Sequence, residues 1–184
     1  MDNKHPSKIS VWEPLLMFLL VGIGLIYGVN AFNTGNLTWF IRENHIVAPS
    51  RIVVVNYGER LELDPNSTEY EMLATAVSQS LSLLNNTDLV SIGLSQQTLT
   101  DYANDSLVVE LYFDEPLTLN TLARTGSPTQ LLVPIEGRHA DGSYVFRGDA
   151  GEWWFGAVRM ADPQPLRQAL AQMGFQVTRL QPAG

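Results

Sequence analysis

The chain of 184 residues contains no cysteine. That absence excludes a disulfide-stapled module, a cysteine nucleophile, a cysteine-ligated metal and a lipid-anchored bacterial lipoprotein. Lysine is almost missing too: Lys4 and Lys8 are the only two. The formal net charge is −8, which disfavours nucleic-acid binding, because neutralising phosphates takes a basic surface. No G-x-G-x-x-G, Walker-type loop, nucleophile-elbow serine, internal repeat or low-complexity run is present.

Long apolar runs are absent as well, with one exception. Leu15 to Phe32 reads LLMFLLVGIGLIYGVNAF, eighteen positions without a charge. A single bilayer span takes about 20 residues. The run divides the chain into a cytoplasmic leader (1–14), a transmembrane helix (15–32), a juxtamembrane linker (33–50) and an extracytoplasmic domain (51–184). Trp12 stands at one end, and Trp39 and Phe40 beyond the other, where interfacial aromatics belong. Pro14 opens the run in the first helical turn, where a missing N–H costs nothing.

Other readings of the run stay open. Val29-Asn30-Ala31 offers small residues at the spacing of a signal-peptide cleavage site, although Asp2 and Glu13 sit beside the leader's lysines. A buried core helix is a further alternative. A surface-lying helix is disfavoured, since no polar face recurs between Leu15 and Val29. Both lysines precede the run, so the positive-inside rule favours a cytoplasmic N-terminus; Arg42 and Arg51 on the far side work against it. Gly24 and Gly28 form a GxxxG pair on one helix face, which suits close helix–helix packing in a bilayer. Asn30 adds a polar group near the far end, placed for an interhelical hydrogen bond or for the headgroups.

The whole chain is 45% apolar and 16% charged, a globular composition. Four N-x-S/T triplets, at Asn36, Asn66, Asn85 and Asn104, read as chance in a chain rich in Asn, Ser and Thr. A β-branched strand is expected at Arg51–Asn56, with Arg60–Leu63 returning after Tyr57-Gly58. Thr68 to Glu71 fits a capping box, and Tyr70, Leu73, Val77, Leu81 and Leu84 then line one helix face. Strands follow at Leu89–Leu94 and Leu107–Phe113, with a short helix or structured loop over Gln96–Ala103 between them. The strand Gln130–Glu136 carries Pro134, which suits an edge or a bulge. Tyr144–Arg147 returns from an Asp141-Gly142 turn, and Trp153–Arg159 completes a three-strand meander. Asp162-Pro163 then opens a last helix as N-cap and N1, with Gly174 as its C-terminal cap; Gln176–Leu180 suits a final strand. Helices and strands do not alternate regularly. The expected fold is therefore α+β, a mainly antiparallel sheet with two main helices on one face.

Chemistry is harder to find. His139 lies near Asp141 and Ser143, but such residues are also the ordinary contents of a polar hairpin loop. Asp114-Glu115 and Asp149 with Glu152 lack the spacing of a calcium loop. No catalytic residue, cofactor or metal is expected. Trp153-Trp154-Phe155, with Tyr144 on the neighbouring strand, is the most distinctive local feature. Either its two sides are covered, by the long helix and by the loop 117–127, or one side meets a partner.

The layout, one N-terminal helix and then a cysteine-free α+β domain, is similar to that of anchored regulators of bacterial sensor kinases of the YycH/YycI kind. The resemblance implies contact with a membrane kinase or another envelope complex, and it carries no site residues. The expectation is a non-enzymatic accessory protein, held in the lipid bilayer, whose extracytoplasmic domain binds a membrane or envelope protein. The alternative is a module that holds a small molecule or glycan against Tyr144, Trp153 and Trp154.

Overall fold

The computed structural model describes residues 12–34, 48–82, 84 and 86–178. The expectations for Trp39, Phe40, Arg42 and most of the linker lie outside those residues. The chain divides into two units, Met1–Phe40 and Ile41–Gly184.

In the first unit, helix α1 spans Trp12–Thr34. Its residues Trp12–Phe32 have a mean hydropathy of 2.2 and are long and apolar enough to cross a membrane, as an anchor or a signal sequence would be.

The second unit is α+β. Six strands form one antiparallel sheet: β1 (Arg51–Asn56), β2 (Glu59–Glu62), β3 (Leu107–Tyr112), β4 (Gln130–Glu136), β5 (Tyr144–Asp149) and β6 (Glu152–Arg159), in the order β2-β1-β3-β4-β5-β6. Among the described residues three α-helices, α2 (Thr68–Leu81), α3 (Gln96–Asn104) and α4 (Gln164–Gln172), and a short 3-10 helix (Ala140–Gly142) complete the unit. Strand alternation sends Ile52, Val54, Leu107, Val109, Leu111, Leu131, Val145 and Val158 to one face. There they meet Leu73, Val77 and Leu81 of α2 and Leu166 and Leu170 of α4. Each such side chain removed from water contributes about 1.5–3 kcal/mol, so this layer is the main core.

The opposite face is not left bare. Val53, Val55, Val108, Leu132, Phe146 and Ala157 form a second cluster with Tyr102, which α3 supplies. The two main helices therefore share one face, and a short third helix covers part of the other.

Several local expectations change. Ser67, not Thr68, caps α2: its Oγ accepts from the Tyr70 N–H at 3.1 Å, one position ahead of the expected box. The helix stops at Leu81, and Leu84 instead makes an isolated bridge to Met160. Leu89–Leu94 is not a strand; only Val90 bridges to Ala157, because the β6 edge is irregular there. Pro163 takes the cap position of α4, and the Asp162 carboxylate accepts from the Gln164 N–H at 2.9 Å. Residues 176–178 run without strand pairing, and the rest of that expected strand is outside the described residues.

Other expectations stand. Pro134 sits where the β3–β4 register shifts, beyond the last β4–β5 pair. Gly174 (φ +92°) closes α4: the Gly174 N–H donates to the Ala171 carbonyl and the Phe175 N–H to the Leu170 carbonyl.

Candidate functional site

Strands β5 and β6 run in register from Tyr144↔Arg159 to Phe146↔Ala157, then resume at Gly148↔Trp153. Three residues of β6, Trp154, Phe155 and Gly156, thus face the single residue Arg147. The extra residues leave the ladder as a bulge. Gly156 makes the turn possible at φ +88°, and a Cβ there would meet Leu89 at 3.0 Å.

Arg147 holds this bulge from beneath. It is 3% exposed. Its Nη2 donates to the carbonyls of Phe155 and Gly156, each at 3.2 Å, and its Nη1 donates to the carbonyl of Thr125. The guanidinium also lies 5.7 Å from the centre of the Trp154 ring. Among the described residues no carboxylate pairs with it, and its Nε has no hydrogen-bond partner. Burial pushes its pKa down. The sequence reading missed this residue. The available signal was its place two positions after Val145, on the inward face of a strand.

The structure separates the four aromatic candidates. Trp154 turns to the main-core side, where its ring packs over Gly126 of the loop 117–128. Trp153 turns to the other face and packs half-buried against the second cluster. Tyr144 shares that face but stands at the opposite end of β5, with Arg159 5.1 Å above its ring and bonded to its hydroxyl at 3.1 Å. Phe155 projects from the bulge beside Gly93 and is 70% exposed. The four do not line one surface. Phe155 alone among them is presented to solvent.

His139 lies in a tight loop between β4 and β5. Its Nδ1 is 2.7 Å from the Tyr102 hydroxyl, and its ring packs against Tyr144 and Phe146. Neither Asp141 nor Ser143 hydrogen-bonds it among the described residues. Burial, and then the nearby Arg138, lower its pKa. Asp114 and Glu115 are exposed, and Asp149 accepts a bond from the Thr129 hydroxyl. Among the described residues no three His, Asp or Glu side chains gather as a metal site.

On α1, a Cβ added at Gly24 or Gly28 would meet nothing within 4 Å among the described residues. The Asn30 amide donates to the Ile26 carbonyl of its own helix at 2.8 Å. Comparison of the chain with protein-family models, curated proteins and solved structures yields no match.

Proposed function

We propose that this chain is a non-enzymatic, membrane-anchored accessory protein whose folded domain binds a partner protein through the β6 bulge. In this reading α1 is an uncleaved single-pass anchor with a cytoplasmic N-terminus, and the domain works outside the membrane. The observation that carries the proposal is Phe155, an aromatic ring 70% exposed on a bulge that a buried arginine fixes in place. A large ring on a rigid support loses little side-chain entropy when a partner covers it, and aromatic anchors of this kind dominate interface energies. The open face at Gly24 and Gly28 supports a second contact, helix against helix within the bilayer. A membrane kinase or other envelope complex is one partner of the expected type.

Photo-crosslinking in native membranes tests this. A photoreactive residue at Phe155 should give one discrete adduct with a membrane protein. The same residue at exposed Tyr57, in the β1–β2 turn, should give none. Equal labelling from both positions, or none from either, would refute the bulge as the contact.

A further inference from the structure

Helix α3 is attached to the sheet by few groups. Thr98 and Tyr102 are its two buried side chains, and Tyr102 alone is large and enters the second cluster. By comparison, α2 sends Tyr70, Leu73, Val77 and Leu81 into the main core. Polar groups tie α3 to the loop between β4 and β5 at two points. Asp101 pairs with Arg138 at 3.2 Å, and the Tyr102 hydroxyl meets His139 Nδ1 at 2.7 Å.

The second tie is sensitive to a proton. Tyr102 is 2% exposed, and among the described residues its hydroxyl has no acceptor other than His139. Its O–H therefore donates to Nδ1, which puts the ring hydrogen of neutral His139 on Nε2. A proton added at Nδ1 takes that acceptor away. The Tyr102 oxygen must then accept instead, and its own hydrogen is left buried without a partner, at the cost of a lost hydrogen bond.

The charges around the ring add to the effect. Arg138 is its neighbour in the chain, and Arg159 of β6 lies over the Tyr144 ring that packs against it. Asp101 of α3 is engaged with Arg138, and Asp141 is in the exposed turn that follows. From β5 the ring meets only the rings of Tyr144 and Phe146 among the described residues. Arg138 disfavours a positive ring here, and the carboxylate on α3 is already paired with that arginine.

We infer that α3 is an acid-released cover. The Tyr102–His139 bond holds it over part of the second sheet face, and protonation of His139 lets it lift, uncovering the part of the cluster that Tyr102 joins, Phe146 included. The idea is independent of the Phe155 contact, which lies on another strand, so either can fail without the other.

Amide hydrogen exchange on the full chain in detergent micelles tests it, at about pH 7.5 and about pH 5, on either side of the ordinary histidine pKa. After correction for intrinsic rates, α3 protection should fall by about tenfold at the lower pH, the loss of roughly one hydrogen bond, to a level well below that of α2, which opens only with the whole domain. His139→Asn, whose side chain suits the left-handed backbone at φ 64°, should abolish the pH step. If that variant does not fold, a His5→Asn/His45→Asn chain leaves one imidazole to follow by NMR, and its titration midpoint should coincide with the α3 step. An unchanged α3, a step that survives in His139→Asn, α3 and α2 exchanging at one common level at the lower pH, or an imidazole midpoint apart from the step would each overturn the inference.

Discussion

A guanidinium that is 3% exposed and bonded to carbonyls alone is costly to keep in a domain this small. At Arg147 the compensation is geometric: one side chain joins Thr125, Phe155 and Gly156. Replacing it by alanine relieves the buried charge but strands three carbonyls, at about 1–3 kcal/mol each. The carbonyls outweigh the relief. Urea unfolding of Arg147→Ala should show a loss of about 3 kcal/mol. Phe155→Ser, at an exposed site, should stay within about 0.5 kcal/mol of the parent in the same assay. If both variants unfold alike, Arg147 is not the support. At His139 the folded pKa lies below the ordinary value, so as pH falls the unfolded chain takes up the proton first. Stability is therefore full above about pH 6.5 and declines below it. Urea midpoints measured against pH should show that slope, and His139→Asn should flatten it.

At the scale of elements, periodicity made most of the fold legible. The β-branched run at Ile52–Val55, the alternation from Leu107 to Phe113 and the helical spacing of Leu73, Val77 and Leu81 all occupy the positions their patterns require. What failed was local. Leu89–Leu94 looks like a strand, yet Gly156 and the bulge leave it room for a single bridge, at Val90. The bulge itself had a signal, an isolated glycine inside the Trp153–Arg159 run. The covering role of α3 did not, because one buried tyrosine sets up no period. Nor did the wide separation of Tyr144 from Trp153, which only the β5–β6 register reveals. The cap of α2 offers a clean test. Ser67→Ala should cost about 1 kcal/mol in thermal or urea unfolding, and Thr68→Ala should be near neutral. The reverse order would restore the capping box at Thr68.

At the scale of the whole molecule, an apolar helix long enough to cross a membrane precedes a domain that presents the Phe155 ring on a bulge. Among the described residues a Cβ added at Gly24 or Gly28 meets nothing within 4 Å, so Gly24→Leu/Gly28→Leu is a probe of neighbours in the bilayer. The most direct measurement is a mild-detergent co-purification of full-length chain from its native membrane. Parent, Phe155→Ser and Gly24→Leu/Gly28→Leu should be compared by quantitative mass spectrometry. A defined membrane protein should follow the parent, fall by tenfold or more (about 1.4 kcal/mol) with Phe155→Ser, and weaken with the glycine double substitution. A parent that purifies alone, or a partner that both variants retain in full, would contradict the proposed contacts.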